Sequence, residues 1–143
     1  MSLSLTVQKT IKAPVKKVYE AFSDAKLLST WFTTNHRHRF RVDGKYKNGD
    51  GDEGRYLEIK PGKFLSFTWE NKMHCPGTGV RIKFLKLSAN KTKIILSHLN
   101  LETETHVKGM KTGWTWAAAC LKLFLETGRR IGYDDWYKAK YGG

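Results

Sequence analysis

The stretch GWTWAAACLKLFLETG, residues 113–128, decides the fold of this 143-residue chain. Its apolar residues recur every three or four positions, which is the period of an amphipathic helix. Gly128 is predicted to end the helix, because glycine readily takes the left-handed conformation of a helix C-cap. The predicted apolar face consists of Trp114, Ala117, Ala118, Leu121, Phe124 and Leu125. We therefore predict the longest helix of the molecule here, after a polar loop over residues 102–112.

Upstream of this helix, residues 36–99 have the pattern of an antiparallel sheet. Short runs of alternating apolar and polar residues are separated by clusters of Gly, Pro, Asn and Asp, as in strands joined by turns. Six strands are predicted, centred on Phe40, Tyr46, Leu57, Phe67, Ile82 and Ile95. The predicted turns lie at residues 43–44, 48–52, 61–62, 75–78 and 89–90.

The N-terminal residues predict one more strand and two short helices. Residues 3–11 alternate in polarity, as a half-buried strand does. Pro14 stands where a helix begins, and Asp24 is a suitable N-cap for a second helix that reaches Trp31. The resulting fold class is α+β: a curved antiparallel sheet with two short helices, and one long C-terminal helix that covers a cavity.

Length and composition exclude several classes of protein. A chain of 143 residues buries roughly two thirds of its surface on folding, which suits one hydrophobic core. We expect a single domain over residues 1–143, in which residues 129–143 form a basic and aromatic C-terminal extension. A hydrophobic content of 40% argues against disorder, and charged residues interrupt every candidate membrane span. No secretory signal is recognisable, so a cytoplasmic location is the expectation.

Four stretches resemble a known family: APVKKVYEAFSDAKLLSTWF (13–32), DGKYKNGDGDEGRYLEIKPGKFLSFTW (43–69), TKIILSHLNL (92–101) and GWTWAAACLKLFLETG (113–128). In this order they resemble the Aha-type domain, the activator of heat-shock protein ATPase homologue family, within the START-like, helix-grip superfamily also called SRPBCC. The resemblance implies a cavity between sheet and C-terminal helix, used in relatives for lipids, sterols or polyketides. Some relatives are enzymes, and fold alone does not fix function.

The predicted ligand-binding residues are the side chains that the elements direct into the space between helix and sheet. Most of them are expected to be ordinary core, because an apolar stripe at helical spacing usually is. The small residues over 117–120 are expected to leave volume beneath the helix. The set comprises Trp31, Phe32, His38, Phe40, Tyr56, Phe67, Trp69, Met73, Trp114, Ala117 and Leu121.

The segment HRHRFRV, residues 36–42, carries the densest polar signal. In an extended strand its arginines point to one face, and His36, His38 and Phe40 point to the other. Either the two histidines lie at the mouth of the cavity and orient a ligand, or their side chains are exposed to solvent. Metal binding is disfavoured, since no spacing supplies a third ligand. The segment 48–54 is predicted to be a turn, and Glu53 and Glu58 are expected in surface ion pairs.

Three function classes remain open. The first is non-enzymatic binding of a small hydrophobic or amphipathic molecule, which the architecture and the missing catalytic motifs favour. The second is a chaperone-associated interaction module of the stress response, and the third is a cyclase or dehydratase type of enzyme. No catalytic residue, metal ligand or cofactor is predicted. A net charge of +13 attracts polyanions, yet no nucleic-acid motif accompanies it, and the oligomeric state stays open.

Overall fold

The computed structural model describes residues 3–71 and 74–142, and for residues 74–76 it describes the backbone alone. Its element order is one strand, two short helices, six strands and two helices, which confirms the predicted α+β class. The elements are β1 (Leu3–Ile11), α1 (Val15–Ser23), α2 (Ala25–Trp31), β2 (Arg37–His38), β3 (Lys45–Lys47), β4 (Asp52–Lys60), β5 (Phe64–Asn71), β6 (His74–Ser88), β7 (Lys91–Leu101), α3 (Glu104–Thr127) and α4 (Tyr133–Tyr141).

The seven strands form one antiparallel sheet in the order β1-β7-β6-β5-β4-β3-β2. Strands β2 to β7 form a meander, and β1 joins its far edge with Ile11 opposite Thr92. The side chains of β7 alternate along the strand between buried and partly exposed, so one face of the sheet supplies the core.

Three details of the predicted sheet are wrong. The turn predicted over residues 48–54 is shorter, because β4 begins at Asp52. The strand expected around Phe40 is limited to Arg37–His38, because the chain after it folds into a loop in which Gly44 N donates to Arg41 O at 2.8 Å. The turn expected at 75–78 belongs to β6, where Thr78 lies opposite Trp69. Strand β5 ends at Asn71 and β6 begins at His74, with these two residues opposite each other, and residues 72–73 lie outside the described residues.

The two short helices confirm the N-terminal prediction. Val18, Tyr19 and Phe22 are buried on one face of α1. The carboxylate of Asp24 accepts hydrogen bonds from the backbone N–H groups of Lys26 and Leu27, at 2.8 and 3.2 Å. These bonds satisfy donors that would otherwise have no partner at the start of α2.

Helix α3 is longer than predicted, so the loop assigned to residues 102–112 is wrong. Thr103 is the N-cap, and its hydroxyl accepts a bond from His106 N at 3.1 Å. Val107 and Met110 pack against the core, which holds the first turns in place despite their polar neighbours. Gly128 ends the helix with φ 74°, as predicted.

The C-terminal residues pack on α3. Ile131 O accepts hydrogen bonds from Trp116 Nε1 and from Cys120 Sγ, both at 3.3 Å. Trp136 of α4 is buried, whereas most other side chains of that helix are exposed. Within residues 3–71 and 74–142, no helix has the length and apolar character that crossing a membrane requires.

Candidate functional site

An apolar cavity lies between the sheet and the helices, at the end of the sheet that carries β3 to β5. Its walls come from α1, α2, α3 and the inner face of four strands. The lining residues are Phe22, Leu28, Trp31, Phe32, His36, Tyr46, Asn48, Tyr56, Leu65, Phe67, Trp69, Ile82 and Trp114. Aromatic rings make up most of this wall, so a ligand inside it would be held mainly by apolar contact.

The cavity is much smaller than the chamber that the sequence led us to expect. Its volume is about 40 Å³, whereas pockets for small ligands usually measure roughly 300 to 1,000 Å³. Large rings fill the remaining space: Phe32 stacks on Trp114 with centroids 5.8 Å apart, and Trp69 meets Trp114 edge-on at 5.0 Å. The volume suits a few water molecules.

A polar network runs along the wall that β2, β3 and β4 provide. His36 Nε2 lies 3.0 Å from His38 Nδ1, which in turn lies 2.8 Å from the hydroxyl of Tyr56. The ring of His36 stacks on Tyr46 at 5.8 Å. The Tyr46 hydroxyl donates to the carbonyl of Thr68 at 2.5 Å. The network therefore links the cavity wall at His36 with the surface groove that His38 lines.

The environment keeps these groups neutral. Burial and the neighbouring His38 lower the pKa of His36 to about 4. Burial also lowers the pKa of His38, against the opposing effects of a hydrogen bond with the Ser23 backbone and of the Asp24 carboxylate. Burial raises the pKa of the hydroxyls of Tyr46 and Tyr56 far above the usual range. At neutral pH the site therefore presents uncharged imidazoles and phenols.

Two buried polar atoms of the cavity wall have no hydrogen-bond partner among the described residues. They are Nδ1 of His36 and Nε1 of Trp69. Neutral His36 carries one proton, so Nδ1 is either an unpaired donor or an unpaired acceptor, whereas the indole N–H can only donate. Leaving such a group buried without a partner costs about 1–3 kcal/mol. Both atoms belong to side chains that line an otherwise largely apolar wall.

An open groove with a volume of about 400 Å³ lies on the other side of three of the cavity residues. Phe32, Trp69 and Trp114 line both the groove and the cavity. These three rings therefore form the partition between the interior and the surface. Phe32 is the C-cap of α2 and is only half-buried, so it is the least confined of the three.

The structure brings six of the eleven predicted site residues to the cavity wall: Trp31, Phe32, Tyr56, Phe67, Trp69 and Trp114. Two others stand behind that wall, where His38 bonds to Tyr56 and Phe40 packs against the Tyr56 ring at 4.9 Å. Ala117 and Leu121 are buried in the core without lining the cavity. Met73 lies outside the described residues.

The expectation that the small residues of α3 leave volume is wrong. Ala117 and Ala118 are buried in the main core, and α3 packs most extensively on β1. Small side chains let a helix approach a strand closely instead of opening a space. Tyr46 also lines the cavity and is missing from the predicted set. Its position between Lys45 and Lys47 could have predicted this, because side chains alternate in a strand and the residue between two exposed lysines points inward.

The acidic residues near the site have structural partners. Glu53 pairs with Lys47 at 3.6 Å and Glu58 pairs with Lys60 at 3.7 Å, both as exposed pairs. Asp50 accepts a hydrogen bond from the Thr33 hydroxyl at 2.6 Å, which holds the turn before β4. In the described part of the chain, no three His, Cys, Asp or Glu side chains converge in a way that would hold a metal ion.

A long C-terminal helix that covers the face of a curved antiparallel sheet, with an apolar cavity between them, defines the helix-grip fold. The chain belongs to the family described as Activator of Hsp90 ATPase homolog 1-like protein, whose model matches residues 12–126. Among curated proteins, no sequence matches the chain significantly.

Solved structures share the fold at low sequence identity. CalU16 from Micromonospora echinospora is 21% identical with a TM-score of 0.78, over 89% of this chain and 78% of that one. The Aha1 dimer from Colwellia psychrerythraea is 23% identical with a TM-score of 0.78, over 89% and 98%. PFC0360w, an HSP90 activator from Plasmodium falciparum, is 20% identical with a TM-score of 0.75, over 88% and 96%.

Proposed function

We propose that the protein binds a small, largely aromatic molecule that carries a hydroxyl group. The hydroxyl lies between His36 and Trp69, and the apolar part of the molecule contacts the rings of Trp31, Phe67 and Trp114. One observation carries the proposal: among the described residues of this wall, the only buried side-chain nitrogen or oxygen atoms without a hydrogen-bond partner are His36 Nδ1 and Trp69 Nε1.

The chemistry of the two atoms selects the ligand group. A hydroxyl both donates and accepts, so it pairs with the Trp69 N–H and with either tautomer of His36. The ligand then recovers the free energy that two unpaired buried groups cost, about 1–3 kcal/mol each. A carboxylate fits less well, because the neutral His36 and the apolar wall do not compensate the cost of burying a charge.

Entry of the ligand requires the partition of rings to move. The cavity of about 40 Å³ and the outer groove of about 400 Å³ together reach the size of a ligand site when the rings between them turn aside. Phe32 is the residue we expect to move, because it is half-buried and follows the end of α2. Binding then joins the two spaces around Phe32, Trp69 and Trp114.

A pair of probes tests the polar contact directly. We expect 2-naphthol to raise the melting temperature of the protein more than naphthalene at the same concentration, since stabilisation follows ligand affinity. Trp69→Phe removes the N–H and keeps an aromatic ring, so it should bring the two shifts together. Trp31→Phe is the matched control, because Trp31 Nε1 already donates to Ala21 O at 2.8 Å. Equal shifts for both probes in the unaltered protein would contradict the proposal.

A second candidate function is contact with the Hsp90 chaperone. The family match and the shared fold of the HSP90 activator from Plasmodium falciparum favour it. The test is the rate of ATP hydrolysis by Hsp90 with and without this protein, at an ionic strength that suppresses attraction by general charge. Stimulation that saturates supports the contact, and an unchanged rate removes it.

A further inference from the structure

A cluster of positive charges lines an open groove beside β2 and β3, which we name the basic groove. It has a volume of about 700 Å³, and its walls carry five cations and one carboxylate, that of Asp43. The cations are Arg37, Arg39, Arg41, Lys45 and Lys47. Three of the chain's seven arginines thus lie within five residues, although lysine is the more common basic residue of the chain, with 19 copies.

Four of the five cations have no ion-pair partner among the described residues. Lys47 pairs with Glu53 at 3.6 Å, and no carboxylate of residues 3–71 and 74–142 lies within 4.0 Å of the side-chain nitrogens of the others. Like charges held this close repel one another, and an anion that enters the groove removes the repulsion. The groove is therefore set up for a partner with several negative charges.

The loop that carries the arginines is held by backbone hydrogen bonds within itself and to β3 and β4. Arg39 N donates to Lys45 O at 3.0 Å, Gly44 N donates to Arg41 O at 2.8 Å, and Asp43 N donates to Tyr56 O at 2.8 Å. A Cβ atom at position 44 would lie 1.9 Å from Arg39 O, so only glycine permits this close approach. A fixed backbone lowers the entropy lost when a partner binds.

We propose that the basic groove docks an acidic segment of a partner protein. Guanidinium groups bind carboxylates through two parallel hydrogen bonds, which gives arginine an advantage over lysine at such a site. Val42 is 55% exposed beside the groove and offers an apolar contact to the same segment. This proposal is independent of the ligand cavity.

The groove is unsuited to a single-stranded nucleic acid. Such sites combine a basic groove with aromatic faces on which bases stack. The groove wall has two aromatic side chains, Tyr46 and His38. Tyr46 is only 4% exposed, and its ring lies against those of His36, Tyr56 and Phe67. The ring of His38 is half-buried against those of His36, Phe40 and Tyr56. Carboxylates need only the charges and donors that the arginines supply, so an acidic protein segment is the better fit.

The experiment measures binding of a fluorescein-labelled ten-residue peptide of glutamates with one central leucine, by anisotropy at physiological salt. The triple variant Arg37→Gln, Arg39→Gln and Arg41→Gln should weaken binding at least tenfold. The matching Arg→Lys triple keeps the charge and should weaken binding by a smaller factor. A control triple, Lys83→Gln, Lys86→Gln and Lys91→Gln, removes the same charge from exposed positions on β6 and β7, and should change affinity less than threefold.

Each alternative result overturns the proposal. If the Arg→Gln triple and the Lys→Gln control triple lose the same affinity for the peptide, only the overall positive charge of the protein attracts it. Tighter binding of a ten-residue oligothymidylate than of the peptide assigns the groove to nucleic acid. Absence of binding by the unaltered protein at this salt removes the site. Circular dichroism checks that each variant is folded, and the single variant Arg39→Gln, expected to lose affinity in part, replaces the triple if it is not.

Discussion

Two regions of the interior are built from different side chains and differ in how completely they are filled. Where α3 packs on β1, the buried residues are small or aliphatic, among them Ile11, Ala117 and Leu121. At the other end of the sheet the buried residues are mostly aromatic, and a cavity remains there together with two polar atoms that have no partner among the described residues. Aliphatic chains adjust to their neighbours, whereas fused rings are rigid and leave gaps. The region with the gaps is the one that can accept a ligand.

The largest effect should come from opening a gap in the filled region. Leu121 is 0% exposed, so Leu121→Ala leaves a cavity and is expected to lower the free energy of unfolding by about 2–5 kcal/mol. The control is Leu87→Ala on β6, where the side chain is 51% exposed, and a change of about 0.5 kcal/mol or less is expected there. Urea denaturation measures both. Similar values for the two variants would mean that the contact of α3 with β1 is as loosely packed as the aromatic end.

Lowering the pH should reduce the stability of the protein through a titrating group in the aromatic region, His36. The ordinary pKa of histidine is near 6.5, and that of His36 in the folded protein is about 4. Between these values the unfolded chain binds more protons, so stability is fully present above pH 6.5 and falls as the pH approaches 4. A shift of this size corresponds to a loss on the order of 3 kcal/mol. Denaturation in urea at pH 7, 6 and 5 measures the slope.

The control for this slope is His36→Phe, which keeps a ring against Tyr46 and removes the titrating group. Its stability should fall less steeply between pH 6.5 and 4. Some slope should remain, because burial lowers the pKa of His38 as well. A variant with the same slope as the unaltered protein would place the pH dependence elsewhere in the molecule.

The parts of the fold that depend on local spacing were predictable from the sequence. Alternation placed the strands other than the one expected around Phe40, and Asp24 and Gly128 marked helix ends whose capping bonds the structure contains. The start of α3 was missed because residues 102–112 are mostly polar, whereas the cap at Thr103 and the packing of the partly buried Val107 against the core stabilise a helix there. The latter contact depends on tertiary packing, which spacing alone does not reveal.

The candidate site was predictable only as a collection of rings. The alternation of side chains along the strands predicts that Tyr56, Phe67 and Trp69 face the interior. The free volume, however, depends on how the rings of Phe32 and Trp114 are oriented relative to one another. That the Trp69 N–H has no partner in the described part of the chain is likewise a property of the assembled core, since any indole in the sequence could find a carbonyl. Residue type therefore predicts the wall of a cavity better than its volume or its polar contacts.

The smallest and sharpest comparison lies within the aromatic region, between two indoles whose centroids are 5.0 Å apart. Trp69 and Trp114 are 5% and 4% exposed, so replacement of either by Phe removes a similar area from the core. Trp114 Nε1 donates to His98 Nδ1 at 2.9 Å, whereas Trp69 Nε1 has no partner in the described residues. Trp114→Phe should therefore cost about 1–3 kcal/mol more than Trp69→Phe, because only the former loses a buried hydrogen bond. Urea denaturation of the two variants measures the difference directly. If Trp69→Phe lowers the free energy of unfolding as much as Trp114→Phe or more, the Trp69 N–H is paired in solution. That result would remove the polar anchor of the proposed ligand site.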